Sequence, residues 1–330
     1  MPTDFLVTTA LPDPGMAMLH QAGTVTLADT PLTYAELSEA CRSGEFKVVV
    51  AQLGDTFDGA LLERAAISGI SNYAVGVNNI DIAAATRNAI MVGNTPGVLT
   101  DATADIAMLL VLAVARRCVE ADQLVRSGQF TGWQPELMLG HDITGKTLGL
   151  AGFGRIARAT ARRALAFGMD VAFCPRPPGD RPVEDDELGE FAGRLRHLSW
   201  PELVETSDYL SLHVPLTEQT HHLVDAAVLA RMKSSAILVN TARGPIVDEL
   251  ALVAALERGG IAGAGLDVYE AEPTLAPGLA DLPNTILLPH VGSATVAVRA
   301  EMARLCANNA VALARGTTPP HPVNPDAWTR

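Results

Sequence analysis

A glycine-rich turn near the middle of the chain constrains its fold more than any other feature. Residues 152–157 read Gly-Phe-Gly-Arg-Ile-Ala, follow the apolar run Thr147–Ala151, and open a stretch whose apolar residues recur at helical spacing. A G-x-G-x-x-[GA] turn between a strand and a helix offers backbone N–H groups and the positive helix end to a dinucleotide pyrophosphate. The sequence therefore predicts a dinucleotide site at this turn, formed by Gly152, Gly154, Arg155 and Ile156.

Strand-like and helix-like segments alternate along nearly the whole chain, which is typical of parallel sheets covered by helices. One series precedes the turn at residues 94–97, and a second series of six strands ends near Pro289. The helix expected over residues 295–314 is too small for a core of its own, so we expect it to return to the first domain. The sequence thus predicts an α/β fold of two doubly wound, parallel-sheet, Rossmann-like domains. A nucleotide domain (98–289) is inserted into a flavodoxin-like substrate domain (1–97 and 290–330).

Two further segments are interpreted from composition. Residues 106–115 form the most apolar stretch, and Ile106, Leu109, Leu110, Ala113 and Val114 lie on one stripe of a helix, which predicts a buried helix too short to cross a bilayer. Residues 176–193 are rich in proline, glycine and acids, which predicts a surface loop.

The bulk composition excludes several classes of protein. The chain has 330 residues and a formal charge of −13, which argues against a nucleic-acid partner because phosphate binding needs a basic face. The four cysteines are scattered without a C-x-x-C pair, as in reduced cytosolic proteins, so we expect no disulfide framework and no metal site. No basic segment leads into an apolar one at the N-terminus. We expect a cytoplasmic protein without a membrane partner.

Three polar residues stand directly after predicted strands of the second series. Arg243, Glu272 and His290 each follow a different strand, and in open α/β sheets ligands bind in the crevice beyond the carboxyl ends of the strands. Reduction of a ketone needs a proton donor with a pKa near neutral, which suits histidine, and a carboxylate on its other ring nitrogen favours the charged form. A guanidinium can bind a carboxylate and a keto oxygen in bidentate fashion. The set predicts hydride transfer between a nicotinamide and a 2-hydroxy acid.

The chain resembles the D-isomer-specific 2-hydroxyacid dehydrogenases over nearly its full length. The resemblance is carried by residues 75–81, 94–100, 145–149, 212–217, 239–248, 265–273 and 289–295. It implies that Arg243 binds substrate, that Glu272 orients the histidine, and that His290 is the acid/base. It also implies that the backbone N–H groups of Val75 and Gly76 receive the substrate carboxylate and that Leu53 lines the substrate pocket. The cofactor cleft would be lined by Val214, Pro215, Thr241, Ala242, Asp267 and Gly292.

The residue after the second strand of the nucleotide domain bears on the choice of nicotinamide. NAD-preferring domains usually end this strand with an acid that binds the ribose hydroxyls, but here Pro175 and Arg176 follow the strand, and Asp170 stands at its opposite end. Without a carboxylate to repel a 2′-phosphate, and with Arg176 able to pair with one, we expect NADP(H) to be preferred, with NAD(H) as the alternative. Arg181 is a candidate second contact.

Substrate and assembly are interpreted from the closest pattern within the family. Residues 132–135 and 140–146, together with Arg299, resemble glyoxylate/hydroxypyruvate reductases, in which a tryptophan matching Trp133 reaches the substrate pocket of the neighbouring subunit. Trp133 would serve equally well as an anchor of a dimer interface. We expect a homodimer acting on a small 2-oxo or 2-hydroxy acid. Residues 125–130, together with residues 133–135, also resemble phosphite dehydrogenases, which carry a lysine where Val75 stands here. A nucleotide-sensing, corepressor-like binding protein is the alternative from another class.

Overall fold

The computed structural model describes residues 3–328, which form two compact units. The first contains the described residues up to Leu99 and those from Ala294 onward, and the second runs from Thr100 to Ser293. These divisions lie a few residues beyond the expected ones at 97/98 and 289/290. The assignment of substrate to one unit and nucleotide to the other stays a prediction.

The first unit is built on a five-stranded parallel sheet. Its strands are β1 (Thr3–Val7), β2 (Val25–Leu27), β3 (Phe46–Ala51), β4 (Gly69–Asn72) and β5 (Met91–Gly93), in the order β2-β1-β3-β4-β5. Its helices are α1 (Gly15–Ala22), α2 (Tyr34–Arg42), α3 (Gly59–Leu62), α4 (Ile82–Arg87) and a long C-terminal helix, Val296–Ala314.

Alternate residues of β3 feed two different cores, because successive side chains of a strand point to opposite faces. Val49 and Ala51 pack among residues of α2, α3 and α4, whereas Val48 and Val50 pack with α1 and the C-terminal helix. Helices therefore cover both faces of this sheet, which explains why its central strand is apolar and buried from Val48 to Ala51.

The second unit is built on a seven-stranded parallel sheet. Its strands are β6 (Thr147–Ala151), β7 (Asp170–Cys174), β8 (Arg196–His197), β9 (Tyr209–Leu212), β10 (Ile237–Asn240), β11 (Gly263–Leu266) and β12 (Thr285–Leu287), in the order β12-β11-β10-β9-β6-β7-β8. Its helices are α5 (Thr100–Ala115), α6 (Cys118–Arg126), α7 (Arg155–Ala166), α8 (Asp185–Leu188), α9 (Trp200–Thr206), α10 (Ala226–Arg231) and α11 (Glu249–Glu257). The C-terminal helix of the first unit is α12.

The strand order of the second unit reverses between β6 and β9. β7 and β8 lie on one side of β6, and β9 to β12 continue on the other. All pairs are parallel, so every carboxyl end lies at the same edge of the sheet. Helices α5 and α7 cover one face, and α9, α10 and α11 cover the other. The predicted fold class, two doubly wound parallel-sheet domains, is confirmed.

Several local predictions were wrong. Strands β2 and β8 were not predicted, because with three and two residues they are too short for an apolar pattern to show. The loop predicted over residues 176–193 contains α8, and Leu188 and Phe191 are buried within it. The helix expected over residues 106–115 begins at Thr100, and Leu109 on its predicted buried stripe is 48% exposed. Among the described residues, no helix is long and apolar enough to span a membrane.

Candidate active site

The turn that carries His290 is anchored to a buried carboxylate. Asp267 follows β11, is 1% exposed, and accepts the backbone N–H groups of Val291 and Gly292, each at 2.7 Å. The Thr103 hydroxyl donates to the Gly292 carbonyl at 3.1 Å. Burial raises the pKa of Asp267, while the two N–H donors oppose that rise. The turn is thus held by Asp267 through its N–H groups and by Thr103 through its carbonyl group.

His290 itself adopts a backbone conformation that side chains rarely take. Its φ is +54°, in the left-handed region, which costs of order 1 kcal/mol for a residue other than glycine. The hydrogen bonds to Asp267 hold the turn in this form. The strain marks a position where the surrounding structure, rather than local preference, dictates the backbone.

Glu272 binds the imidazole of His290. Glu272 Oε2 lies 2.9 Å from His290 Nδ1, and Glu272 Oε1 accepts the N–H of Tyr269 at 3.0 Å. Burial alone would raise the pKa of Glu272, but the His290 hydrogen bond and charge, together with the Tyr269 N–H and Arg243, bring that pKa below its ordinary value. The carboxylate thereby fixes the ring through Nδ1 and directs Nε2 away from itself.

Arg243 lies in the loop after β10, close enough for its charge to act on Glu272. Its guanidinium donates to the Ala242 carbonyl at 2.6 Å, and burial lowers its pKa while the Glu272 charge opposes that effect. The side chain of Asn240, 1% exposed, shapes the loop by accepting the Ala242 N–H and donating to the Arg243 carbonyl. The second unit therefore brings together all three residues predicted for catalysis.

The residue after Arg243 explains how this loop meets the Glu272 segment. A Cβ placed on Gly244 would overlap the carbonyl carbon of Tyr269. The Tyr269 hydroxyl in turn donates to the Leu288 carbonyl at 2.8 Å, at the end of β12. Three neighbouring strand ends are joined through Tyr269 and Gly244, neither of which was singled out from the sequence.

The turn after β6 has the geometry of a pyrophosphate site. Gly152 has φ +93°, and a Cβ there would lie 2.9 Å from the His213 carbonyl oxygen and 3.1 Å from a Val214 methyl group. Gly154 is the N-cap of α7, and among the described residues no side chain caps this helix, whose first turn also lacks an acid. The first N–H groups of α7 are thus left for an anion. Exposed Arg155 and half-buried Ile156 begin the helix.

The lining expected for the cofactor lies along the same edge. Val214 is buried and Pro215 exposed after β9, and Ala242 is half-buried after β10. The Thr241 hydroxyl is buried without a hydrogen-bond partner within residues 3–328, and a buried hydroxyl usually has one. The open helix end, the close approach at Gly152 and the unpartnered Thr241 fit a bound dinucleotide.

The loop after β7 contains one exposed, unpaired guanidinium. Pro175 follows the strand, and Arg176 is exposed and makes no ion pair with any of residues 3–328. Arg181, the candidate second contact, is instead bound by Glu187, with nitrogen–oxygen distances of 2.8 and 3.2 Å. The nearby Asp180 carboxylate lies 2.7 Å from the His197 ring.

The first unit holds the predicted substrate residues other than Arg243 and Trp133. The N–H groups of Val75 and Gly76 have no acceptor within the described chain, whereas their carbonyls accept from Asn94 and Asn72 at 2.8 and 3.0 Å. Leu53 is exposed in the loop after β3, and Arg299 is half-buried on α12, where its carbonyl accepts the Tyr73 hydroxyl at 2.8 Å.

Two further features of the second unit are an exposed tryptophan and a cavity. Trp133 is 82% exposed in the segment between α6 and β6. A cavity of about 350 Å³ lies at the amino ends of β10, β11 and β12, where Ile237, Ala262 and Thr285 line it. It is at the opposite edge from His290, and none of the predicted site residues lines it.

Comparison with known proteins places these observations in a family. The model of the D-isomer specific 2-hydroxyacid dehydrogenase, NAD binding domain, matches residues 108–292. A glyoxylate reductase of Thermococcus litoralis is 45% identical over 98% of this chain and 97% of its own length. The chain belongs to the D-isomer-specific 2-hydroxyacid dehydrogenase family. It is an NAD(P)-dependent oxidoreductase, and the resemblance drawn from its sequence is confirmed.

Solved structures of full-length relatives agree with the family assignment. The NADPH-dependent glyoxylate/hydroxypyruvate reductase of Sinorhizobium meliloti, in complex with NADP and malonate, matches this dehydrogenase with a TM-score of 0.85 at 31% identity, covering 99% of this chain and 98% of that one. A glyoxylate reductase of Paecilomyes thermophila matches with a TM-score of 0.84 at 33% identity, covering 98% and 99%.

The residues of this dehydrogenase that were not predicted from the sequence are those that hold the loops of the site in position. Their role is to hold the loops of the predicted catalytic residues in place, and no reactive group of theirs is predicted to touch the substrate. They are Asn240, Gly244 and Tyr269. The glycine directly after Arg243 was the one available signal, since glycine in such a loop indicates close backbone approach. Tyr269 and Asn240 carried no signal of their own.

Proposed function

We propose that this dehydrogenase reduces a short 2-oxo acid, glyoxylate or hydroxypyruvate, with a preference for NADPH. The observation that carries the proposal is the 2.9 Å hydrogen bond between Glu272 and His290 Nδ1, beside Arg243. Relatives named glyoxylate reductase, at 41–45% identity over most of the chain, support the substrate class. The phosphite alternative is weaker, since Val75 stands where phosphite dehydrogenases carry lysine.

His290 is assigned as the proton donor. Its Nδ1 is committed to Glu272, which leaves Nε2 for the substrate. The hydride for the carbonyl carbon of the substrate would come from the nicotinamide when that cofactor is bound. As the carbonyl oxygen gains negative charge, the proton on Nε2 passes to it, giving the 2-hydroxy acid and a neutral imidazole. Solvent then returns a proton to His290.

Arg243 is assigned to the substrate's oxygens. Its guanidinium is largely withdrawn from water and stays charged, so its interaction with a developing oxyanion is stronger than it would be in solvent. The fork of N–H donors can hold a carboxylate oxygen and the keto oxygen together. The unsatisfied N–H groups of Val75 and Gly76 are assigned to the substrate carboxylate.

The preference for NADPH rests on the loop after β7. Pro175 offers no carboxylate for the ribose hydroxyls, and Arg176 has an exposed guanidinium without an intramolecular ion pair among the described residues. A 2′-phosphate would supply Arg176 with a charge-assisted, bidentate partner. Arg155 at the start of α7 adds positive charge at the pyrophosphate.

We also propose a homodimer. Val119, Val125, Phe130, Trp133 and Leu139 are exposed within one stretch of the second unit, with Val119 at 43% and Trp133 at 82%, and clustered exposed apolar residues indicate a contact surface. Sedimentation should give twice the chain mass, and Trp133→Ala should weaken the dimer. Arg299, Leu53 and Trp133 are assigned to substrate selection, and the cytoplasmic location stays a prediction.

An initial-rate panel tests the proposed function. Glyoxylate, hydroxypyruvate, pyruvate and larger 2-oxo acids are each assayed with NADPH and NADH, and phosphite is assayed with both oxidised cofactors. We expect the highest kcat/KM for glyoxylate or hydroxypyruvate with NADPH. Tight nucleotide binding without turnover of any acid would indicate a nucleotide-sensing binding protein. Oxidation of phosphite would indicate a phosphite dehydrogenase.

A further inference from the structure

His221, His222 and Glu270 form a cluster outside the residues assigned above. Each offers a ring nitrogen or a carboxylate oxygen, and these three atoms lie within 4.8 Å of one another. His222 Nε2 is 2.7 Å from Glu270 Oε1, and the two imidazole rings are tilted by 31° with their centroids 4.1 Å apart. Two imidazoles and a carboxylate are the donor set that zinc takes in many three-ligand protein sites.

The backbone at His222 is what brings the two rings together. Side chains of consecutive residues in extended chain point to opposite sides, but His222 has φ +49°, in the left-handed region. Hydrogen bonds from the His222 N–H to the Pro245 carbonyl, at 2.8 Å, and from Val224 to Ile246, at 3.0 Å, hold the segment. Residues other than glycine rarely adopt this conformation, and such strained positions concentrate at ligand-binding sites.

Glu270 is fixed before any ligand arrives. Its backbone N–H donates to Glu249 Oε1 at 2.7 Å, and its Oε2 faces the Glu249 N–H at 3.5 Å, in the first turn of α11. Glu249 is only 3% exposed, so this anchor is rigid. One carboxylate oxygen of Glu270 thus faces α11 while the other is directed at His222, which reduces the ordering that a ligand would have to impose.

We propose that His221, His222 and Glu270 bind one zinc ion or a similar first-row divalent cation. The ion takes the place of the proton shared by His222 Nε2 and Glu270 Oε1. Ligand atoms around a tetrahedral zinc lie roughly 3.3 Å apart when each bond is about 2.0–2.1 Å long, so the 2.7 Å pair needs only to open slightly. His221 supplies the third ligand and water the fourth. The prediction of no metal site rested on cysteine spacing, which says nothing of ligands from histidine and glutamate.

His221 distinguishes a metal site from a purely structural pair. The His222–Glu270 hydrogen bond alone would brace the loop, and it needs nothing from His221, which is exposed. The inference does not depend on the proposed reductase activity, because metal binding can be measured without turnover. Its failure and the failure of the proposed function are therefore separate outcomes.

The test is a titration of the untagged, full-length protein with Co²⁺, followed by displacement with Zn²⁺. Cys118→Ser is introduced throughout, because this exposed thiol could compete for the metal. We expect visible d–d absorption that saturates at one ion per chain and disappears on adding Zn²⁺. Calorimetry then gives the Zn²⁺ affinity directly.

Substitutions of the proposed ligands test whether the ion binds at this cluster. Loss of a group that only supports a metal ligand commonly costs about 10–100-fold in metal affinity. His221→Ala and Glu270→Gln remove ligands themselves, so each should weaken binding at least about tenfold. His20→Ala, an exposed histidine of α1, is the matched control and should bind as the parent does. Equal affinity in His221→Ala and the parent, or no d–d absorption in the parent, would overturn the proposal.

Discussion

Gly244 lies directly against the main chain of Tyr269, with no room for a side chain between them. This contact joins the Arg243 loop to the segment that ends in Glu272. The three residues assigned to chemistry come from three different strand ends, and the Gly244–Tyr269 contact fixes the distance between two of those ends. Substitutions here should therefore act on both the fold and the site.

Gly244→Ala is expected to destabilise the protein by about 3 kcal/mol or more, because overpacking at a backbone contact cannot be relieved by turning a side chain. Urea unfolding measures the loss. Gly54→Ala is the matched control, since a Cβ there meets nothing within 4 Å, and its free energy of unfolding should change little. Equal stability of Gly244→Ala and the parent would contradict the packing described here.

His290→Asn should lower kcat for 2-oxo acid reduction by about 10²–10⁴-fold, the usual contribution of a positioned proton donor. Asparagine tolerates the left-handed backbone, so the fold should survive, as circular dichroism would show. His141→Asn, at an exposed histidine of the same unit, should keep the parent rate. A fully active His290→Asn variant would remove His290 from the mechanism.

Glu272→Gln should lower kcat/KM for 2-oxo acid reduction by at least about tenfold, because the carboxylate that lies 2.9 Å from His290 Nδ1 fixes the ring and so directs Nε2. The amide lacks the negative charge and can turn an N–H group rather than an oxygen toward the ring. Initial rates with the 2-oxo acid and NADPH measure the loss. A variant with the parental kcat/KM would show that Glu272 does not position the donor.

Arg243→Lys should lower kcat/KM by about 10²–10³-fold although the charge is kept, because lysine cannot bind two oxygens in a fixed plane. Arg231→Lys is the control: Arg231 is exposed and pairs with Glu205 at 2.8 Å, so its substitution should leave kinetics unchanged. If Arg243→Lys retained most of kcat/KM, bidentate binding would not be needed.

Arg176→Ala should raise KM for NADPH about tenfold or more and leave KM for NADH nearly unchanged, because only NADPH carries the 2′-phosphate. Arg181→Ala serves as the comparison, since Glu187 already engages that guanidinium. Pro175→Asp should reverse the preference toward NADH by supplying the missing acid. Equal effects of Arg176→Ala on both cofactors would contradict the assignment.

His213 should make stability depend on pH. Burial lowers the pKa of His213 from 6.5 to about 4, and its Nε2 lies 2.9 Å from the Ser211 hydroxyl. The unfolded chain takes up this proton as pH falls below 6.5, whereas the folded protein does not until about pH 4. The free energy of unfolding should therefore fall across this window by up to about 3 kcal/mol.

Urea unfolding between pH 7 and 4 measures this slope. His213→Gln should flatten it, because glutamine does not titrate, while His20→Gln should leave it unchanged. The same slope in His213→Gln and the parent would assign the pH dependence to other groups.

The sequence predicted the sheets better than the contacts between loops. Buried strands such as β6 are continuous apolar runs bounded by glycine or polar turns, and that pattern is local. The strands β2 and β8 were missed because they are short edge strands. They form by pairing with β1 and β7, which the local sequence does not show. Arg243, Glu272 and His290 could be placed at strand ends by counting, since parallel strands share one edge.

Other features of the structure depend on contacts between residues distant in sequence, so no local sequence pattern indicates them. The left-handed backbone of His290 is held by Asp267, and the cluster at His222 and Glu270 forms only when residues 48 positions apart meet. The engagement of Arg181 by Glu187 required the short helix α8, which the proline-rich composition concealed.

The C-terminal helix α12 has a consequence for how the chain is made. Its residues Met302, Cys306 and Ala310 belong to the core that also contains Phe5 and Val48, and the Ser71 hydroxyl donates to the Cys306 carbonyl at 2.7 Å. On the ribosome, the sheet of β1 to β5 must therefore wait, with one face uncovered, until some two hundred further residues have emerged. The inserted unit, whose sequence is continuous, can complete its own core first, and chaperones would meet the N-terminal sheet during that interval.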